Sequence, residues 1–131
     1  MDSKKLLIRL LILVFSIFVL NYLAMEFHWY SSIWYFDMSM HFLGGLWLGL
    51  ISIYLFSLEN TSFHSILKIF FMVLFIGIGW EIFEILIDKF ITQNSFNFAD
   101  TISDLFFDFV GGFFALVYFL KKIMPIKKNT V

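Results

Sequence analysis

The sequence predicts an all-α membrane protein, a bundle of four transmembrane helices with both termini cytoplasmic. Of its 131 residues, 61% are hydrophobic, and the mean hydropathy is +0.91. Soluble domains are about 45–50% apolar. Four apolar segments reach the length of about 20 residues that a bilayer-spanning helix needs. With a single proline and no Gly/Ser-rich stretch to mark a linker, we expect one integral membrane domain over residues 1–131.

Two features of the composition exclude whole classes of function. The chain has no cysteine, which rules out disulfides, thiolate nucleophiles and cysteine-based metal sites. The formal net charge is −1, and no basic surface interleaved with aromatic residues is present. We therefore expect no nucleic-acid partner.

The first predicted span covers about residues 6–25 and follows Lys4, Lys5 and Arg9. A basic start before an apolar run also describes a secretory signal peptide. Here the apolar run exceeds the usual ~7–15 residues, and the stretch "LNYLAMEF" has no small-x-small cleavage site. We interpret the segment as a retained transmembrane helix.

The remaining predicted spans cover about residues 37–58, 65–88 and 100–120. An even number of spans puts both chain ends on one side, and basic residues mark that side as cytoplasmic. These residues are Lys4, Lys5 and Arg9 at the start and Lys121, Lys122, Lys127 and Lys128 at the end. The 26–36 loop has no Lys or Arg and is rich in Trp and Tyr, as an external interfacial belt would be. Lys89 alone does not fit this orientation.

Ionisable residues interrupt the last three spans. They are Asp37, His41, Glu81, Glu84, Asp88, Asp100, Asp104 and Asp108. In the predicted topology the second and fourth helices start outside and the third ends there, so at about 1.5 Å per residue these groups fall in roughly the outer half of the bilayer. A carboxylate at the centre of a lone spanning helix costs about 2.5–3.5 kcal/mol, so such residues face a bundle interior or water. We expect a polar cavity in the outer-leaflet half.

Small residues continue each polar stripe along the same helix face. Spacings of three and four residues connect them to the ionisable groups. The residues are Gly44 and Gly45, Gly77, and Gly111 and Gly112. Since small residues let membrane helices approach closely, we expect tight helix packing at these glycines, on the cytoplasmic side of the cavity.

Several of these groups also have a purely structural interpretation. Asp88, with Lys89, can mark the end of a helix, and Asp100 and Asp37 are placed to act as N-caps. His28 and His64 are interpreted as boundary residues, and Glu26 and Glu59 as loop charges. Five residues lie a turn or more inside their spans and favour a functional site over a structural network: His41, Glu81, Glu84, Asp104 and Asp108.

Carboxylates gathered in one cavity repel each other unless protons or a cation neutralise them. Carboxylates with one imidazole and no thiolate suit Mg²⁺, Mn²⁺ or Zn²⁺. We predict His41, Glu81, Asp104 and Asp108 as metal ligands. Glu84 and His41 are the candidate catalytic residues, and Asp37, Asp88 and Asp100 are supporting polar groups.

Three motifs resemble the VanZ-like superfamily of small polytopic membrane proteins. They are "DMSMHFLGG" at 37–45, "GWEIFE" at 79–84 and "DTISDLFFDFVGG" at 100–112. The resemblance implies a shared polar site within a membrane bundle, and through the superfamily's name a link to glycopeptide resistance. It implies no particular reaction or substrate.

Three functions are consistent with these residues. The first is a metal site that acts at the outer leaflet on a lipid head group or a lipid-linked phosphate. The second is a non-catalytic binding or resistance protein that holds a lipid or a cationic antibiotic. The third is a proton or cation transporter, disfavoured because the cytoplasmic halves of the helices are uninterruptedly apolar.

Overall fold

The computed structural model describes residues 3–56 and 62–123, with side chains as far as residue 121, and this part is made of helices joined by short turns and loops, without strands. The elements are α1 (Ser3–Glu26), α2 (Trp29–Ser32), α3 (Phe36–Leu55), α4 (Phe63–Ile87) and α5 (Phe98–Tyr118). A wider π-helical turn extends α4 over Asp88–Thr92, and another extends α5 over Phe119–Ile123. Four of these helices are long and apolar enough to cross a membrane.

The observed helices differ from the predicted spans mainly at their ends. The α3 helix stops at Leu55, and the predicted end at 58 lies outside the described residues, as do Glu59, Lys127 and Lys128. The third span runs on to Thr92, beyond its predicted end at 88, because the π-helical turn carries the chain past Asp88. Local backbone hydrogen bonding decides these ends, which hydropathy does not report.

The short helix α2 turns the chain from α1 back towards α3. The turn is made at His28, whose φ of 56° is left-handed. The hydroxyl of Tyr30 then donates to Asn21 Oδ1 at 2.7 Å, and the Tyr30 ring packs edge-on against Phe36. The Tyr30 hydroxyl therefore lies at the same end of the bundle as Asp37.

Both predicted aspartate caps are wrong. Asn97 is the N-cap of α5, and its side chain accepts from the backbone N–H of Asp100 at 3.2 Å. The N-cap of α3 is Tyr35, without a side-chain cap bond, so Asp37 lies in the first turn. Each helix begins one or two residues before the predicted start. The carboxylates of Asp37 and Asp100 are therefore directed by the helix face, and not by capping.

The closest helix pair is α3 with α5, and glycines allow the contact. A Cβ placed at Gly45 would lie 2.0 Å from the carbonyl oxygen of Asp108, and one at Gly111 would lie 2.1 Å from that of Phe42. A Cβ at Gly49 would meet the Ala115 Cβ at 2.5 Å. A methyl group at these positions would push the two backbones apart, so the contact requires residues without side chains.

The predicted packing glycines on α4 and α5 also make close contacts, but Gly44 does not. A Cβ at Gly77 would lie 2.8 Å from Asp108 Oδ2, and one at Gly112 would lie 3.0 Å from Val73 Cγ2. At Gly44 nothing lies within 4 Å. Adjacent helical residues point about 100° apart, so Gly45 faces α5 while Gly44 faces away from it. The packing role on α3 falls to Gly45 and Gly49.

At the end of the bundle away from Asp37, the interior is an apolar core. Its buried residues are Leu6, Leu10, Leu50, Ile53, Ile69, Ala115 and Phe119. Trp47 on α3 donates its indole N–H to the carbonyl oxygen of Leu10 at 3.0 Å. The Arg9 guanidinium donates to the Tyr118 hydroxyl. The start of α1 and the end of α5 therefore lie together at one end of the bundle.

Candidate functional site

The imidazole of His41, only 8% exposed, lies among three carboxylates. Its Nδ1 is 3.1 Å from Asp108 Oδ1. Its Nε2 is 3.4 Å from Asp104 Oδ2 and 3.8 Å from Asp37 Oδ1. Asp37 lies one turn earlier on α3, and the other two lie on α5. The tight glycine contact between these helices thus brings both ring nitrogens to acidic partners.

Three helices contribute to a second, overlapping arrangement. His41, Glu81, Glu84 and Asp104 each offer one ligand atom, and these four atoms all lie within 4.8 Å of one another. We call these residues the four-residue cluster. Asp104 also belongs to a more exposed group with Asp37 and Asp100 that meets the same distance limit. Residues more than 60 positions apart in the sequence are thus brought to one place.

Two members of the four-residue cluster carry buried oxygens without hydrogen bonds. Glu81 is 4% exposed and Asp104 is 1% exposed. Glu81 Oε1 and both carboxylate oxygens of Asp104 have no hydrogen-bond partner among the described residues. Burying a charged group costs a large free energy unless it is paired or bound to a metal. His41 Nε2 can offset the charge of Asp104 only when the imidazole is protonated, whereas a bound cation would compensate both carboxylates.

The structure places two of the predicted site residues, Asp108 and Glu84, differently from the sequence-based assignment. Asp108, predicted as a metal ligand, faces Nδ1 of His41, the ring nitrogen opposite to the one that faces Asp104. Glu84, predicted as catalytic, belongs to the four-residue cluster. Glu84 Oε1 also accepts the indole N–H of Trp80 at 2.8 Å. When one ring nitrogen of a histidine binds a metal, a carboxylate that contacts the other ring nitrogen typically fixes the orientation of the ring.

Among the three supporting residues, Asp88 stands apart from both groups. Its Oδ1 accepts from Thr92 Oγ1 at 2.9 Å and from Asn94 Nδ2 at 3.4 Å. These bonds close the turn that follows α4. Asp88 therefore has the helix-end role that its sequence position also allowed, while Asp37 and Asp100 lie beside Asp104.

A cavity of about 550 Å³ adjoins the acids. It lies between α1, α3 and α4, because α1 packs along α3 but not along α4. Asp37, His41, Glu84 and Asp108 line part of it. The rest of the wall is mainly apolar and includes Val14, Ile17, Phe18, Leu48 and Ile76. The cavity therefore combines a polar region with a long apolar one.

Two aromatic residues at this site were not singled out from the sequence. Trp80 lies four residues before Glu84, and that helical spacing could have indicated its hydrogen bond. Tyr30 lines the cavity, and the aromatic loop that carries it was interpreted only as an interfacial belt. Burial, followed by the charges of Asp37 and Glu84, raises the pKa of Tyr30 above its ordinary value. Tyr30 therefore stays a neutral hydrogen-bond donor.

Comparison with known proteins identifies one family. The family model described as "Predicted membrane protein (DUF2238)" matches residues 5–123, which include every helix of the bundle. No curated protein and no solved structure matches the chain. The match does not name the VanZ-like superfamily, so that resemblance stays a prediction.

Proposed function

This chain belongs to the DUF2238 family of predicted membrane proteins, and we propose that its four-residue cluster holds a divalent metal ion and acts on a lipid head group or a lipid-linked phosphate. The observation that carries the proposal is the buried Asp104 carboxylate, which lies 3.4 Å from His41 Nε2 but accepts no hydrogen bond within the described chain, beside Glu81 Oε1, which also lacks one. A single divalent cation would compensate both carboxylates, and three carboxylates with one imidazole suit Mg²⁺, Mn²⁺ or Zn²⁺.

The protein groups around the cluster have distinct roles in this proposal. Asp108 holds Nδ1 of His41, which leaves Nε2 directed at Asp104. Glu84 lines the cavity, and because Trp80 holds its Oε1, its other oxygen is the one that can bind the metal or, when it is not a ligand, accept a proton. The metal, when bound, would supply Lewis-acid stabilisation of charge on a phosphate or ester oxygen.

The cavity supports a lipid as the substrate class. In a bundle that spans the membrane, the gap between α1 and α4 would open towards the lipid hydrocarbon, and an acyl or isoprenoid chain could then lie along Ile17, Leu48 and Ile76. Its head group would then reach Asp37 and Glu84. Carboxylates alone repel a phosphate, and a bound cation reverses that interaction. The lipid and the metal therefore belong to one proposal.

Metal content tests the first part of the proposal. The full chain, purified in detergent, is loaded with Mn²⁺ or Zn²⁺, desalted and analysed by elemental mass spectrometry. We expect stoichiometric metal, lost in Asp104→Asn and Glu81→Gln and kept in Glu26→Gln, a matched change at the exposed end of α1. Protein that takes up no metal under any condition would refute the metal site.

Lipid analysis tests the second part. Mass spectrometry of lipids retained by the purified protein should identify a phosphate-bearing lipid. Filling the apolar wall with Ile17→Trp should deplete that lipid while the metal content stays unchanged. Retained metal with no retained or converted lipid would leave the metal site standing and refute the lipid assignment.

A binding role without catalysis is the second candidate. It is favoured by the rings of Tyr30 and Trp80, which line the cavity together with Asp37 and Glu84. Aromatic faces and carboxylates together attract cationic ligands. A cationic amphiphile that binds the purified protein, competes with Mn²⁺ and is released unchanged would favour this candidate over an enzyme.

Conduction of ions receives no support from the buried interior. Beyond the four-residue cluster, Val73 packs against Gly112, and Ile53, Ile69 and Phe119 fill the core. The buried Ser52 hydroxyl is used within its own helix, where it donates to the carbonyl oxygen of Leu48 at 2.7 Å. Apart from Ser52 and Ser65, the buried residues described in this half are apolar or glycine, so they offer no continuous polar path through it.

A further inference from the structure

A second groove lies on the other side of α1, between α1, α3 and α5, and has a volume of about 460 Å³. Its walls are apolar, with Leu6, Leu13, Leu46 and Leu50 along its length. Phe42 and Phe114 line it furthest from the chain ends, their rings 5.4 Å apart and edge to face. From Phe42 to Leu50 the groove follows α3 for about 12 Å at 1.5 Å per residue.

The end of this groove nearest the chain termini is basic. Arg9 and Lys121 line it together with Tyr118. Arg9 lies 6.0 Å from the centre of the Tyr118 ring and donates to its hydroxyl. A guanidinium has five N–H donors, so this contact leaves donors for a ligand. The ring and its hydroxyl hold the Arg9 side chain at the mouth of the groove.

Charge in the described part of the bundle is segregated, so these two cations have no carboxylate beside them there. Within residues 3–56 and 62–121, every carboxylate lies at the end of the bundle that carries His41, or in the loop next to it. Neither Arg9 nor Lys121 forms an ion pair with a carboxylate of the described chain. An apolar groove whose basic mouth has no carboxylate partner among the described residues is complementary to an anion that carries a hydrocarbon chain.

We propose that this groove binds an anionic phospholipid, with the phosphate at Arg9 and Lys121 and an acyl chain along the leucines. The site is separate from the four-residue cluster and does not depend on its proposed function. Basic pockets between transmembrane helices are a recognised setting for anionic head groups, and juxtamembrane basic residues attract anionic lipids. The groove adds an apolar slot that a diffuse surface charge lacks.

The test measures phospholipid binding to the full chain in neutral detergent by native mass spectrometry. Phosphatidylglycerol and phosphatidylcholine with identical chains are compared. We expect phosphatidylglycerol to bind more tightly, and the Arg9→Gln/Lys121→Gln variant to bind it about tenfold or more weakly. The matched control, Lys5→Gln/Lys68→Gln, removes two charges at the same end outside the groove and should stay close to the unmodified protein.

A second variant keeps the charges and tests the groove itself. Leu13→Trp fills the apolar slot, and we expect it to weaken phosphatidylglycerol binding while Arg9 and Lys121 remain in place. Unchanged binding in both the Arg9/Lys121 and Leu13 variants would overturn the proposal. So would an equal loss in the Lys5/Lys68 control, which would indicate diffuse attraction, or equally tight binding of soluble glycerol phosphate, which would indicate an anion site without a lipid chain.

Discussion

Asp108 Oδ1 lies 3.1 Å from His41 Nδ1 and thereby directs the other ring nitrogen toward Asp104. The pair joins α3 to α5 at the place where Gly45 lets the backbones touch. A side-chain contact and a backbone contact thus fix the imidazole together. The consequence is that changes at Asp108 should act on the site through His41.

Asp108→Asn removes the charge that orients His41. We expect the affinity for Mn²⁺ to fall by about 10–100-fold, the usual effect of losing such a partner, while helix content stays unchanged. Titration calorimetry on the purified chain measures the affinity. Asp88→Asn, which removes a carboxylate outside both acidic groups, is the control. An affinity equal to that of the unmodified protein would show that Asp108 has no such role.

Gly45→Ala should destabilise the bundle, because its Cβ would lie 2.0 Å from the Asp108 carbonyl oxygen. Overpacking of this kind costs about 1–3 kcal/mol. The neighbouring Gly44→Ala is the matched control, since nothing lies within 4 Å of its Cβ, and replacing a helical Gly by Ala can even stabilise by about 1 kcal/mol. Thermal unfolding in detergent compares them, and equal melting temperatures would contradict the observed α3–α5 contact.

Asn97→Ala removes the N-cap of α5. This change should lower the free energy of unfolding by about 1 kcal/mol, whereas Asn97→Asp should retain it, because an aspartate oxygen accepts a hydrogen bond from the same N–H. The same thermal assay reports both variants. If Asp100→Ala destabilised the protein and Asn97→Ala did not, the cap would be Asp100 after all.

Tyr30 should titrate above the range of an ordinary tyrosine, about pH 10, because burial and nearby carboxylates oppose its ionisation. The difference in ultraviolet absorbance between the protein and Tyr30→Phe isolates its titration. Asp37→Asn should lower the pKa and Glu26→Gln should not. Since the folded-state pKa exceeds the unfolded one, this group's contribution to stability is complete below about pH 10 and declines as the pH rises through the folded value. A titration near pH 10 in every variant would argue against burial of the hydroxyl.

Topology can be read from single cysteines, because the chain has none of its own. Ser32→Cys should react with a membrane-impermeant maleimide in intact cells. Lys5→Cys should react only after permeabilisation, as the positive-inside rule requires for the basic end. The reverse pattern would place the four-residue cluster on the cytoplasmic side.

The four helices were predictable from the residues alone, because a chain in lipid must satisfy its backbone hydrogen bonds locally, so that length and apolar content suffice to predict a span. The sequence also indicated which ionisable groups share the interior, since a charged side chain facing lipid is costly. His41, Glu81, Glu84, Asp104 and Asp108 are identifiable on this ground alone.

The arrangement of those groups, in contrast, follows from how the helices pack against one another. Whether Asp108 or Glu84 joins His41 and Asp104 depends on the rotation and depth of three helices, and hydropathy is insensitive to both. The difference between Gly44 and Gly45 is a single step of about 100° around α3, and it determines where α5 lies. The same holds for the cavity beside α1. It exists because α1 packs on α3 and does not cover the face of α4 that carries Ile76 and Trp80, a matter of side-chain fit between segments distant in the chain.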